Sequence, residues 1–430
     1  MSTIFACSSG SGRAAIAVWR ISGPEAGETL RRLIGVLPRP RHATHRIVRD
    51  DAGARIDDAI ALWFPGPSTA TGEDLAELHL HGSRAVSSRF SEVLAGFGLK
   101  PADPGEFTLR ALRHGRMGLL EAEGLGDLLD AETEEQRQQA LAGYEGSSRD
   151  VIDAWRDGLL EAMGLLEAAV DFPDEEDIPE EIAARALPAL KRVEEGLAHE
   201  IERGGKGQRL REGLQLAIIG PPNAGKSTLL NRLLGEDRAI VSDIPGTTRD
   251  VVSARLDIAG RLVEVLDTAG IRDDTDDPIE RAGIERSRAA AAGAVIIIEL
   301  TPVGTPPSSA GDIDPRTLRV TSKTDLNASG EIIGLGLSVK TGEGWDAFLS
   351  ALEERVQSAA SPALFPHERQ LALLRAGREW LLRAIDNPMG DPELVSEDVR
   401  AAVRVLDQIT GRITTEDVLG TIFSRFCVGK

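Results

Sequence analysis

Apolar and polar residues alternate over Ala15 to Ile21, Ala59 to Phe64 and Ala76 to Leu80, with Gly/Pro turns between the runs. A period of two belongs to half-buried strands, and with one or two helical patterns among them it predicts an α+β domain over residues 1–117. From Leu119 the period lengthens. Ile152, Trp155, Leu159, Met163, Leu166 and Val170 recur at steps of three and four, which sets them on one face of a long helix. That helix is expected to stop at Asp171-Phe172-Pro173, where an acidic run and a second helix, Glu180 to Arg203, follow. Gly204-Gly205-Lys206-Gly207 reads as a hinge. Beyond it, apolar strand runs (Leu214 to Ile219, Leu262 to Leu266, Ile332 to Leu337) mark a different domain over 210–357. Helical texture resumes in His367 to Asn387 and in Glu397 to Ile409, the latter with Val399, Val403, Leu406 and Ile409 on one face. Thr414-x-x-Asp417 signals a final short helix carrying Leu419, Ile422 and Phe423. The expected architecture is multidomain: an α+β domain (1–117), a helical domain in two parts (118–209 and 358–430), and an α/β domain (210–357) inserted between them.

The inserted region carries the chemistry. Gly220-Pro221-Pro222-Asn223-Ala224-Gly225-Lys226-Ser227 follows an apolar strand and opens a helical pattern from Thr228 to Leu234, which is the setting a phosphate-binding loop requires. Its glycines let successive N–H groups turn inward on phosphates, Lys226 reaches the β and γ oxygens, and the Ser227 hydroxyl is placed for Mg²⁺. Three further segments follow in the order of a Ras-like P-loop GTPase domain with a central, mostly parallel sheet. These are Asp243-Ile244-Pro245-Gly246-Thr247-Thr248-Arg249-Asp250, Asp267-Thr268-Ala269-Gly270 and Ser322-Lys323-Thr324-Asp325. Asp267 would orient a Mg²⁺-bound water, Gly270 leaves an N–H for the γ-phosphate, and Thr248 adds a hydroxyl to the metal. The Asp325 carboxylate accepts from the guanine N1–H and N2 amine, whereas adenine would leave it unpaired. Guanine is therefore favoured.

Ser322 stands where Asn is commonest. A hydroxyl can still bond the phosphate loop's backbone, but it spans less than a carboxamide. Ser338-Val339-Lys340 fits the last base-contacting loop, with Val for the usual Ala at a position that acts through its backbone. Thr301 to Arg316 is Pro/Gly-rich and short for a connection that normally holds a whole helix, so a trimmed domain is expected there.

The residue after Gly270 is Ile271, which cannot polarise water as the Gln of Ras-like enzymes does. Candidates for that role are the acidic stretch from Asp273 to Asp277, otherwise a solvated loop, and Glu280 at a helix start. The positive charge that an arginine finger would supply has two possible sources. One is Arg249; the other is a monovalent cation of K⁺ size, held by Asn223 and the backbone from Ser242 to Thr247.

With these segments, the chain resembles the MnmE (TrmE) family of tRNA-modification GTPases from end to end. Outside the GTPase segment the resemblance rests on Trp19-Arg20-Ile21-Ser22-Gly23, Ala61-Leu62-Trp63-Phe64-Pro65, Thr71-Gly72-Glu73-Asp74 with Glu77, Pro104-Gly105-Glu106-Phe107, Asp171 to Glu176, and the closing Phe426-Cys427-Val428-Gly429-Lys430. It implies a K⁺-stimulated GTPase that binds tRNA and forms a homodimer through a folate-binding N-terminal domain. It also implies a flavin-dependent partner, MnmG (GidA), in a heterotetramer. Together they would install an aminomethyl or carboxymethylaminomethyl group at C5 of the wobble uridine. The one-carbon unit would come from 5-formyl- or 5,10-methylene-tetrahydrofolate. By the same resemblance Asn223, Ser242, Ile244 and Thr247 hold K⁺, Ser227 and Thr248 hold Mg²⁺, and Glu280 activates the water through a bridging water. The folate positions fall on Arg20, Glu77, Arg116 and Lys430, with Arg116 in place of the usual Lys. A regulatory GTPase of ribosome assembly is the alternative; it would need an RNA-binding module such as a KH domain, and no such pattern is evident.

Composition adjusts this picture at a few points. The net charge of −20 argues against a broad nonspecific nucleic-acid surface. Two basic groups stand out nonetheless: Arg39, Arg41, His42, His45, Arg46 and Arg49, then Arg110, Arg113, His114 and Arg116. Either faces RNA or an acidic folate tail, unless the first is a solvated surface. The two cysteines, Cys7 and Cys427, imply no disulfide framework, and with no membrane-length apolar stretch a reducing cytoplasm fits. The acid-free opening has the composition of a transit peptide, but the resemblance begins near Gly12-Arg13, so it is read as folded. Cys427 is either a thiolate nucleophile with its pKa lowered by Lys430, or a small apolar residue packing after Phe426. His79 and His81 share a strand face, yet nothing completes a metal set around them.

Overall fold

The computed structural model describes residues 2–10, 12–171, 178–240, 254–266, 292–306, 314–326, 331–386 and 392–429. The chain divides into two compact units, Met1–Gly126 with Asp407–Lys430, and Asp127–Leu406.

The first unit begins β1 (Ile4–Cys7), β2 (Ala14–Ser22), α1 (Ala26–Ile34), β3 (Thr44–Arg49), β4 (Arg55–Phe64), β5 (Leu75–Gly82), α2 (Arg84–Gly96), β6 (Lys100–Pro101), α3 (Glu106–Arg113) and α4 (Leu119–Asp130). The strands form one six-stranded sheet in the order β3-β4-β5-β2-β1-β6, antiparallel except for the β1–β6 pair. The expected α+β reading holds, and each expected strand lies within an observed one. Alternation has the predicted consequence: Ala17, Trp19 and Ile21 of β2, Ala59, Ala61 and Trp63 of β4, and Ala76, Leu78 and Leu80 of β5 are buried on one face with Leu30, Phe90 and Leu94 of the helices. Trp19 stacks on Phe5 and meets the Phe90 ring edge-on. The intervening positions, among them Arg20, Glu77 and His79, occupy the opposite face.

The second unit opens with α5 (Glu134–Tyr144), α6 (Ser147–Asp171) and α7 (Ile178–Glu212). Thr133 and Gln136 form a reciprocal capping box at the start of α5. The long helix runs from Ser147 to Asp171, through the stretch whose periodicity predicts it. The expected hinge at 204–207 is not present: α7 runs through it to Glu212. Its glycines serve close approach instead. A Cβ at Gly204 would lie 2.1 Å from Leu371, and one at Gly207 would lie 2.4 Å from Ala363, so both permit tight packing that any larger residue would block.

Next come β7 (Leu214–Ile219), α8 (Lys226–Leu233), β8 (Ala254–Ile258), β9 (Arg261–Val265), β10 (Ile296–Pro302), β11 (Thr317–Ser322), β12 (Leu335–Leu337) and α9 (Trp345–Ala359). They build a second six-stranded sheet, order β12-β11-β10-β7-β9-β8, parallel apart from the β8–β9 edge pair. Leu216, Ile218, Val263, Ile298, Leu300 and Val320 pack in its core with Leu229, Leu233, Phe348 and Leu352 from the helices. β12 is shorter than the apolar run that predicts it. Gly334 adopts φ 80°, and a Cβ there would approach the Arg319 carbonyl to 2.3 Å, so the extended chain begins only after it.

Gly344 is under a comparable constraint, with φ 76° at the start of α9 and only 2.0 Å between a hypothetical Cβ and the Gly336 carbonyl oxygen. Gly344→Ala is expected to destabilise by about 2–4 kcal/mol, a backbone clash added to left-handed strain. Gly96→Ala, with nothing within 4 Å of the new carbon, should change stability by under about 1 kcal/mol. Thermal melts of both variants check the contrast.

α10 (Glu368–Asp386) and α11 (Pro392–Thr410) complete the helical part, and the chain ends with α12 (Glu416–Phe423). The cap of α12 is one residue later than expected: the Thr415 hydroxyl, not that of Thr414, accepts from the Val418 N–H. In the first unit Phe423 and Phe426 pack against each other and against α3 and α4. Among the described residues no helix is long and apolar enough to cross a membrane.

Candidate functional site

β7 delivers the chain to Gly220, whose φ of 149° and whose absent side chain are both required, since a Cβ would sit 2.2 Å from the Leu300 carbonyl oxygen. Asn223 (φ 60°) and Gly225 (φ 97°) also take left-handed backbone, and alternation of this kind turns successive N–H groups toward one centre. Ala224 is fully buried and anchors the turn to the core. Gly225 caps α8, so Lys226, Ser227 and Thr228 form its first turn, where the helix dipole favours an anion. The Lys226 ammonium donates to the carbonyls of Gly220 (3.0 Å) and Pro221 (3.1 Å), folding its side chain back along the loop.

The segments expected to read the base converge on this loop from neighbouring strands. Ser322 ends β11 almost fully buried and its hydroxyl donates to the Ala224 carbonyl at 2.7 Å. The shorter side chain therefore makes the cross-link to the phosphate loop expected of this position. Lys323 adopts φ 61°. Asp325 follows in a short 3-10 turn, Thr324–Leu326, and its Oδ1 accepts from the buried Ser338 hydroxyl at 2.8 Å. Ser338 Oγ in turn accepts from the Thr341 N–H, closing the loop that contains Val339 and the exposed Lys340. Sequence reasoning missed Arg232. Its guanidinium lies 4.1 Å from the Trp345 ring and donates to the Val339 carbonyl at 2.6 Å, fixing the base loop from α8. No motif position signals it, because its partners are more than a hundred residues away.

Ser242, Asp243, Ile244, Pro245, Gly246, Thr247, Thr248 and Arg249 lie outside the described residues, as do Asp267, Thr268, Ala269, Gly270, Ile271, Glu280 and Lys430.

A second concave site lies in the first unit. Arg20 of β2 and Glu77 of β5 are cross-strand partners, joined Nε to Oε1 at 2.9 Å, and the His79 ring is 3.8 Å from the other Glu77 oxygen. Glu77 faces a cavity of about 350 Å³ shared with Arg41, Phe64, Thr69, Leu75 and Arg116. Arg116 holds the Thr69 carbonyl at 3.1 Å. The loop it grips is locked in several ways: Gly72 (φ 80°) packs against His114 where a Cβ would be 2.6 Å away, and His114 bonds the Thr71 carbonyl. Glu73 and Glu106 both pair with the buried Arg110. Burial works against the Arg110 charge, and the hydrogen bonds it donates to Glu106 and Glu73 outweigh it, holding its pKa above the ordinary arginine value. His81 bonds Asp57, and the described residues contain no cluster suited to a metal.

The chain's end docks on the same unit. Val428 forms a bridge with Pro104, and the Ser8 hydroxyl donates to the Gly429 carbonyl at 2.9 Å. Gly429 is obligatory there, because a Cβ would meet the Cys7 carbonyl at 2.6 Å. Cys427 is a free, exposed thiol, so it does not pack in the core beside Phe426.

Known proteins place these sites in context. Residues 3–116 match the family model of the GTP-binding protein TrmE N-terminus, and 119–427 match that of the MnmE helical domain. A tRNA modification GTPase MnmE of Rhodopseudomonas palustris is 43% identical over 442 aligned residues, covering 100% of this chain and 99% of the relative. That of Phenylobacterium zucineum is 46% identical with the same coverage, and that of Acidiphilium cryptum is 44% identical over 99% of this chain and 98% of its own. Similarity at this level, sustained from the first strand to the docked tail, places the chain in the MnmE (TrmE) family of tRNA-modification GTPases.

Proposed function

We propose that the chain is a K⁺-stimulated GTPase that acts with a flavin-dependent partner, MnmG, on the C5 position of the wobble uridine of certain tRNAs, using a tetrahydrofolate one-carbon unit. The observation that carries the GTPase half is the cross-link between Ser322 and Ala224 beside the Ser338-supported Asp325, which ties a guanine-reading carboxylate to a phosphate-binding loop. It supports a Ras-like GTPase domain inserted in the helical one. The loop's geometry supports a nucleoside triphosphate, since Gly220, Asn223 and Gly225 take positive-φ backbone and Gly225 caps α8, whose first turn opens on the loop. In this reading Lys226 exchanges its two carbonyl partners for β and γ oxygens, which bind more strongly because they are charged.

Mg²⁺ and K⁺, when bound, supply positive charge against the charge that develops in phosphoryl transfer. Ser227, with Thr248, would hold Mg²⁺; Asn223, with Ser242, Ile244 and Thr247, would hold K⁺. Glu280 orients the attacking water where Ile271 cannot. In the first unit Glu77 and the guanidinium groups beside it suit a ligand with both N–H donors and carboxylates. The cavity of about 350 Å³ is in the range of small-molecule sites. That supports folate binding by Arg20, Glu77, Arg116 and Lys430. Cys427, exposed at the docked tail, is available as a nucleophile. Homodimerisation through the N-terminal domain, a heterotetramer with the partner and a cytoplasmic location complete the proposal.

Deletion of the gene should remove the modified wobble uridine from tRNA nucleosides measured by mass spectrometry. A phosphate-loop variant supplied in trans should fail to restore it. Unchanged modification after deletion would refute the proposal.

A further inference from the structure

Arg41 lies between α1 and β3 with a left-handed backbone, φ 62°. That conformation strains a residue with a Cβ and persists only where its surroundings impose it. Three contacts do so. Its N–H donates to the Trp63 carbonyl at 2.8 Å, its guanidinium donates to the Ser68 carbonyl, and the same group lies 5.6 Å from the centre of the Phe64 ring. Together they hold an exposed cation against the cavity that Glu77 and Arg116 also face.

None of these contacts neutralises the charge. Among the described residues neither Arg41 nor Arg116 has a carboxylate partner, and each donates only to a backbone carbonyl, those of the adjacent residues Ser68 and Thr69. The guanidinium groups of Arg20 and Arg110, by contrast, are paired with Glu77, Glu73 and Glu106. Two cations fixed on one loop and facing one cavity, in a chain of net charge −20, select an anion there. A neutral ligand would forgo both charge-assisted hydrogen bonds.

We propose that Arg41, with Arg116, forms a carboxylate subsite for the glutamyl tail of tetrahydrofolate, which makes Arg41 a residue that sets specificity for the tail. The proposal rests on the folate reading of this cavity. Glu77 takes the N–H donors of the ring system, and Arg41 and Arg116 take the tail.

Equilibrium binding to the full-length chain tests it with three probes: tetrahydropteroate, which lacks glutamate, and 5-formyl-tetrahydrofolate carrying one or several γ-linked glutamates. The wild-type chain should bind the glutamylated forms more tightly than tetrahydropteroate. Arg41→Gln should weaken the glutamylated forms about tenfold, the scale of one partly solvated charged hydrogen bond, while tetrahydropteroate stays within about twofold. Arg41→Lys should recover part of the loss. A loss equal for all three probes would make Arg41 merely structural, and no loss for any probe would remove it from the site. Both results overturn the subsite and leave folate binding intact. Failure of the wild-type chain to bind any of the three would overturn the folate reading and the subsite together.

Discussion

Lys226→Ala is expected to lower GTP affinity by about 10²–10³-fold, measured by equilibrium binding of labelled nucleotide, and to abolish hydrolysis at cellular GTP concentrations. Removing one partner of a desolvated, hydrogen-bonded charge pair typically costs about 2–5 kcal/mol. The same change should hardly affect the fold. Among the described residues the ammonium's hydrogen bonds at 3.0 and 3.1 Å are to loop carbonyls that water can serve, and the side chain is only half-buried. A shift in melting temperature of no more than about 3 °C is expected. Retention of GTP affinity within threefold would show that the loop does not hold the triphosphate through this residue.

The second large effect concerns base choice. Asp325→Asn should reduce GTP affinity by about 10²–10⁴-fold and raise that for xanthosine triphosphate, because a site built to pair donors rejects a ligand that leaves its groups unmatched. Ser338 decides the orientation of the new side chain. Its hydroxyl donates to Asp325 Oδ1 at 2.8 Å, so the carboxamide keeps its oxygen there and presents NH₂ in place of the second carboxylate oxygen. That NH₂ opposes the guanine N2 amine and suits the xanthine O2. Competition binding with both nucleotides reads the outcome, and an unaltered preference for GTP would exclude Asp325 as the base-reading group.

Much of the candidate nucleotide site was legible because it is local. A strand, a turn with glycines at Gly220 and Gly225, and a helix opening at Lys226 are set by consecutive residues, and their φ values follow from the turn itself. The strands of the first unit were legible for the same reason, since a period of two puts Trp19, Ala61 and Leu78 on one face whatever the strand order. Glycine was the ambiguous letter. At 204–207 it suggested freedom, and the packing of Leu371 and Ala363 turned it into close contact inside a helix. At Gly334 it shortened a strand that its apolar neighbours would have extended.

The order and spacing of residues were enough to reach the family and an α+β first domain, and to single out Gly220 to Ser227 as a candidate phosphate loop and Asp325 as a candidate base-reading carboxylate, because each motif depends on neighbours within a turn or a strand. Tertiary structure decided what depends on residues remote in sequence. It brought the Ser322 hydroxyl to the Ala224 carbonyl, Arg232 to the Val339 carbonyl, Arg41 to the cavity of Glu77, and the tail at Gly429 to Ser8. A hydroxyl that bonds a distant carbonyl at 2.7 Å, or a guanidinium that does the same, leaves no periodic trace. Its partner is chosen by how the sheets and helices pack, and only there does its chemistry become specific.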